Sequence, residues 1–123
     1  MAGGRFQVLV VDDDADLRQL IRVLLEFDDE LEVVGTVGDA EGALEAASAC
    51  ADALDLVVLD NRLGGPVTGL EIASRLRSSC PHAKVLLFTA SDADATAGSE
   101  IDAVLSKPAI DSLPDVARQL LHA

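Results

Sequence analysis

Aromatic side chains are almost missing from this chain of 123 residues, which has no Trp, no Tyr and three Phe. A surface that stacks nucleic-acid bases needs exposed aromatics, so composition argues against that class of function. The core has to be assembled from Ala, Val, Leu and Ile, which favours small helices packed closely on a sheet. Positive charge is scarce too, with nine Lys and Arg against 22 Asp and Glu and a net charge of −13. Such a field opposes binding to nucleic acid or to anionic membranes and points to a protein or a cation as the partner. The two cysteines, Cys50 and Cys80, have neither CxxC spacing nor paired histidines nearby, so they read as small buried thiols. No apolar run approaches the ~18 residues that span a bilayer. Met1-Ala2-Gly3-Gly4-Arg5 lacks the apolar centre of a signal peptide, and the expectation is a cytoplasmic protein.

What is present is a dense apolar content, 50% of residues, without repeats, linkers or low-complexity stretches. Disorder is excluded, and residues 1–123 read as one domain with one core. The stretch that organises the rest is Leu56-Val57-Val58-Leu59-Asp60, an apolar run that stops on a carboxylate and meets the loop Asn61-Arg62-Leu63-Gly64-Gly65-Pro66. Four apolar residues between turn signals suit a strand buried on both faces, although periodicity alone also allows a buried helix. The Asp then stands at the strand's carboxyl end, the edge where open α/β sheets bind ligands.

Other runs end the same way. Phe6-Gln7-Val8-Leu9-Val10-Val11 stops on Asp12-Asp13-Asp14, and Leu17, Leu20, Ile21, Leu24 and Leu25 then recur at helical spacing, with Asp14 expected as the cap. Residues 31–37 form a second strand, and Asp39 caps an Ala-rich helix over 40–49. After the third strand and its loop, a helix over 68–79 turns Leu70, Ala73 and Leu76 inward. Val85-Leu86-Leu87-Phe88 stops on Thr89-Ala90-Ser91. Residues 92–100 are short and polar, with no stripe of large side chains to hold a helix down. Residues 102–105 form a fifth strand ending at Ser106-Lys107-Pro108. Leu113, Val116, Ala117, Leu120 and Leu121 mark a last helix, and Pro114 is tolerable in its first turn. Two residues follow this stripe, and no output domain is expected within residues 1–123.

Strand and helix alternate five times, which implies a parallel sheet covered on both faces by right-handed crossovers. The carboxyl ends then gather Asp12, Asp13, Asp60, Thr89 and Lys107. Taken singly, each has a plainer reading: Asp caps helices and starts turns, Thr closes strands, and Lys reaches along a surface to water. Taken together they make a set for phosphoryl transfer. Clustered carboxylates repel unless a cation holds them, and Mg²⁺ is the hard divalent ion that suits oxygen ligands. Asp60 could attack phosphorus, with Lys107 and Thr89 meeting the charge on the transferred oxygens.

In Val10-Val11-Asp12-Asp13, Val58-Leu59-Asp60, Phe88-Thr89-Ala90 and Lys107-Pro108 the sequence resembles the receiver (CheY-like) domains of bacterial two-component response regulators, over Val8 to Leu121. The resemblance implies a flavodoxin-like sheet of order 2-1-3-4-5, with Asp60 phosphorylated by a sensor histidine kinase or a phosphotransfer protein. It implies Mg²⁺ held by Asp13, Asp60 and the backbone carbonyl of Arg62, with Asp12 helping. It places Thr89, Ala90 and Lys107 around the phosphoryl group, makes the Lys107-Pro108 peptide cis, and has Arg62 and Ser91 tune loss of the phosphoryl group to water. The output is controlled binding of a downstream partner protein.

The chain also departs from that pattern. Gly64 stands where the family often has Pro, and Gly69 follows Asp60 later than usual, as if the loop carried an insertion. Val104 occupies the switch position usually held by Tyr or Phe. The interval from Thr89 to Lys107 is short, and what is missing falls in the fourth helix, expected to be short or disordered. A phosphorylation-independent, receiver-like interaction module is therefore the alternative. A third reading takes Asp12-Asp13-Asp14 as the DxD motif of haloacid-dehalogenase-type phosphatases, but it leaves Asp60 unexplained and finds no paired acidic motif after Lys107.

Overall fold

The structure, a computed structural model, describes residues 5–50, 53–60, 69–89 and 101–122. Five strands, β1 (Phe6–Val11), β2 (Leu31–Val37), β3 (Leu56–Asp60), β4 (Lys84–Thr89) and β5 (Ala103–Ser106), form one parallel sheet of order β2-β1-β3-β4-β5. The described α-helices are α1 (Ala15–Glu26), α2 (Ala40–Cys50), α3 (Gly69–Ser79) and α4 (Leu113–Leu121). The parallel sheet is the one that the alternation of runs implies, and its order is the flavodoxin-like one that the family resemblance implies.

Side chains alternate across a strand, and the sheet separates two cores on that basis. Leu9, Val11, Val57, Leu59, Val85 and Leu87 face one side, packed with Ala43 and Ala47 of α2 and with Ile72, Ala73 and Leu76 of α3. Val8, Val10, Leu56, Val58, Leu86 and Phe88 face the other, under Ile21 and Leu25 of α1 and Leu113 and Ala117 of α4. The small residues of α2 let that helix lie close to its neighbours, and the buried Cys80 thiol donates to the Ala47 carbonyl at 3.2 Å. Both cysteines are free, Cys80 buried and Cys50 half-buried.

Both expected caps form. Asp14 Oδ1 accepts the Asp16 and Leu17 amides at 3.0 and 3.2 Å, and Asp39 Oδ1 accepts the Gly42 amide at 2.6 Å. The stripe of α1 is narrower than its sequence suggests. Ile21 and Leu25 are buried but Leu20 is 46% exposed, because successive helical residues are about 100° apart and Leu20 stands on the flank of the face centred on Ile21. Strand five lies one residue later than expected, at Ala103–Ser106. Between it and α4 is a 3₁₀ helix, Lys107–Ser112, which periodicity did not anticipate. Expectations for the 61–66 loop, Thr68, the Leu70 side chain and the 90–100 segment lie outside the described residues.

Candidate functional site: an acidic cluster at the carboxyl ends of the strands

Register brings the site together. Val11 pairs with Leu59, so Asp12 leaves β1 level with Asp60, the last residue of β3. Asp60 pairs with Phe88 and Thr89 with Ser106, which sets Thr89 and then Lys107 along the same edge. Both Asp residues emerge from the two central strands, where neighbouring strands and helices exclude water. Asp12 is 1% exposed, Asp60 4% and Thr89 2%, while Asp13 is turned outward. Carboxylate oxygens of Asp12, Asp13 and Asp60 lie within 4.8 Å of one another.

Lys107, the first residue of the 3₁₀ helix, brings its ammonium 3.3 Å from Asp12 Oδ2 and 3.3 Å from Asp60 Oδ2. Burial by itself lowers the Lys107 pKa. The charges of Asp60 and Asp12, with hydrogen bonds to both, outweigh that and hold it above the usual lysine value. Lys107 is therefore a fixed cation between two buried anions. Among the described residues, three carboxylates beside one ammonium leave negative charge in excess.

The placing of Asp12 fits a further cation. Its amide donates to the Val37 carbonyl at 3.0 Å, and its Oδ1 accepts the Asp14 amide at 2.9 Å. Its Oδ2 is buried, and among the described residues its one polar partner is the Lys107 ammonium at 3.3 Å. A buried carboxylate oxygen left in this way is costly, and a hard divalent ion with oxygen ligands is the group that matches both the donors and the excess charge. The Asp set thus fits Mg²⁺.

Among the residues singled out from sequence, Asp12, Asp13, Asp60, Thr89 and Lys107 fall on this edge. Val104 is on β5, partly exposed, on the strand position opposite Leu87. Pro108 follows Lys107 in the first turn of the 3₁₀ helix. The Arg62 carbonyl, Ala90 and Ser91 lie outside the described residues. Sequence reasoning missed Arg18, whose Nη1 donates to the Asp12 carbonyl at 2.7 Å. The available signal was Gly38, placed where β2 ends beside β1.

Known proteins are similar to this chain in sequence and in fold. The family model described as response regulator receiver domain matches residues 8–116. The nitrate/nitrite response regulator protein NarP of Escherichia coli (strain K12) is 34% identical over 119 residues, 96% of this chain and 54% of that protein. The chain therefore spans about half the length of that relative. The solved structure of a response regulator receiver domain (CheY-like) from Methylobacillus flagellatus is similar with a TM-score of 0.78 at 26% identity, covering 95% of this chain and 99% of that one. A chain from the crystal structure of the phosphorylated P1 domain of CheA3 in complex with CheY6 from R. sphaeroides has a TM-score of 0.75 at 22% identity, with 96% and 98% covered. That last likeness is one of fold.

Proposed function

The chain belongs to the response regulator receiver domain family, and from that premise we propose that Asp60 is its phosphoacceptor. The observation that carries this reading is the meeting of three Asp carboxylates within 4.8 Å at the carboxyl ends of β1 and β3, with Asp60 buried and bridged to Asp12 by one ammonium. The donor is a phosphohistidine on a sensor histidine kinase or a phosphotransfer protein. The P1 complex above is a solved instance of that kind of pairing in another protein of the fold.

Asp60 attacks phosphorus with a carboxylate oxygen as the bond from phosphorus to the donor nitrogen breaks, leaving the electron pair on nitrogen and an acyl phosphate on Asp60. Lys107 pairs with the Asp60 carboxylate beforehand. Phosphorylation removes the carboxylate charge, and the Lys107 ammonium then pairs with a phosphoryl oxygen, alongside the Thr89 hydroxyl and the Ala90 backbone. Asp12, Asp13, Asp60 and the Arg62 carbonyl are the groups that would hold Mg²⁺. Bound there, the ion supplies positive charge to the oxygens of the transferring group.

The chain acts on itself once per signal and turns over no separate substrate. Residues 1–123 form one receiver domain, working in the cytoplasm. Its phosphorylation controls binding to a downstream protein, without direct contact with nucleic acid or membrane. No helix among the described residues is long and apolar enough to cross a membrane. With Val104 at the usual aromatic position, the change is passed on without a ring moving inward.

Intact-mass measurement after incubation with Mg²⁺ and a small acyl phosphate tests this. We expect addition of one phosphoryl group, abolished by EDTA and by Asp60→Asn. No addition together with no Mg²⁺ binding would replace this reading with the phosphorylation-independent interaction module.

A further inference from the structure

Asp12 has four polar groups, and three of them are tied down, two by backbone groups and one by the Arg18 side chain. The amide donates to Val37, Oδ1 accepts from Asp14, and the carbonyl accepts Arg18 Nη1 at 2.7 Å. The fourth, Oδ2, is buried and faces Lys107 at 3.3 Å. A residue anchored at both of its peptide groups has little freedom left, so the bonds that hold its backbone also aim its free oxygen. Two of the three are charge-assisted, the Asp14 amide on the carboxylate and the Arg18 guanidinium on the carbonyl, and the Arg18 bond is the shortest of the three.

Arg18 lies near the start of α1 and reaches back toward the helix N-terminus, the direction in which helical side chains lean. Gly38, the residue after β2, makes room for it. A Cβ on Gly38 would lie 2.8 Å from Arg18 Nη1, closer than real Cβ atoms come, and 3.8 Å from the Asp12 carbonyl oxygen. The Gly38 backbone is outside the left-handed region, so glycine supplies space here and not conformational freedom.

We infer that Arg18 and Gly38 form a positioning pair for the cation site: the guanidinium, lodged over a residue with no side chain, fixes the Asp12 carbonyl and so aims Asp12 Oδ2 at the bound ion. The inference rests on the reading of the acidic cluster given above. Neither residue touches the reacting atoms. Simple electrostatics gives Arg18 the opposite sign, because a fixed cation near the cluster repels an arriving one and its removal would tighten binding. Positioning requires that removal loosen it.

The test is calorimetric titration with Mg²⁺ alone of the whole chain, Arg18→Ala, Gly38→Ala, the double variant and Arg22→Ala. We expect Arg18→Ala and Gly38→Ala each to weaken Mg²⁺ binding about tenfold, the scale of losing a group that orients a metal ligand. The double variant should be no weaker than either single one, since both remove the same contact. Arg22, one turn along α1, exposed and paired with Glu26, should leave binding unchanged. Gly38→Ala displaces only the far end of a flexible side chain, so it keeps both the fold and the Arg18 charge, and its unfolding midpoint in EDTA should match that of the parent. Faster exchange of the Asp14 amide in EDTA, in both single variants, would show the loosened turn without any metal. Unchanged or tighter binding in Arg18→Ala, or single effects that multiply in the double variant, would overturn the inference and leave the acceptor reading intact, which is judged on phosphoryl uptake by the parent chain. Failure of the parent chain to bind Mg²⁺ would remove both.

Discussion

At the carboxyl ends of the strands three carboxylates crowd within 4.8 Å of one another beside the Lys107 ammonium, whereas at their amino ends the described charges meet in separate pairs. There Arg77 pairs with Asp102, Arg118 with Asp28 and Asp115, and His122 with Glu30. The settings differ as much as the spacing. Asp12 and Asp60 are buried, while Glu30, Asp115 and His122 are exposed along a shallow pocket of about 290 Å³ that Arg118 and Gln119 complete. Matched charges on an open edge tie elements together: Asp102 Oδ2 accepts both Arg77 Nη2 and the Val85 amide, stitching α3 to β4 and to the start of β5. Unmatched charge where water is excluded opposes folding. Where a chain keeps such charge, the excess marks a site and not a brace.

Breaking that contrast at Asp60 gives the largest effect. Asp60→Asn removes the acceptor oxygen and one of three like charges, so phosphoryl uptake should disappear while the metal-free fold keeps its stability, the lost repulsion offsetting one lost partner of Lys107. Mass spectrometry and thermal unfolding in EDTA check the two halves. A large fall in metal-free stability would mean that the cluster is a structural brace after all.

Lys107→Met tests the same point from the other side. It leaves buried carboxylates without a cation, and metal-free stability should fall by about 2 kcal/mol, below the full cost of breaking a buried pair because the Lys107 side chain is 25% exposed. Saturating Mg²⁺ should restore most of the loss, since the ion supplies the missing charge. Urea titrations with and without Mg²⁺ measure this, and equal losses in both would argue against cation binding at these carboxylates.

Asp102→Ala is the control at the opposite edge. Removing an acceptor of one amide and one guanidinium should cost about 1 to 2 kcal/mol. Mg²⁺ should not restore it, and phosphoryl uptake should be unchanged. A Mg²⁺-dependent defect here would show that the two edges are coupled.

The difference between the edges also governs what could be read from sequence. Strands that end on a polar or charged residue announce both themselves and their carboxyl ends, so Asp12, Asp60, Thr89 and Lys107 were legible together with the sheet. The α1 stripe was legible as a helix but overcounted, since spacing admits Leu20 on the flank as readily as Ile21 at the centre. The 3₁₀ helix that carries Lys107 has no period to detect, and its shape depends on packing against the sheet. The Arg18 bond to Asp12 was hidden because it depends on Gly38, which is brought alongside only by the pairing of β1 with β2. The balanced pairs at the amino edge left no trace either, because an Asp or Arg that tethers an element looks in sequence like one that is merely solvated.

Arg118→Ala, the smallest of these perturbations, asks how far balance extends. Arg118 holds Asp28 at 2.7 Å and also contacts Asp115, joining the end of α1 to α4. Its side chain is 40% exposed, and pairs of that kind contribute about 0.5 to 1 kcal/mol because solvent screens them. The loss should shrink further in high salt, where the parent pair is itself screened. At the acidic cluster, by contrast, salt should change the Lys107→Met defect much less, buried pairs being screened less. Urea titrations of both variants at low and high salt make the comparison. Equal salt sensitivity would mean that the Lys107 ion pairs are as open to solvent as those of Arg118, and the distinction between the two edges would then rest on the crowding of carboxylates alone.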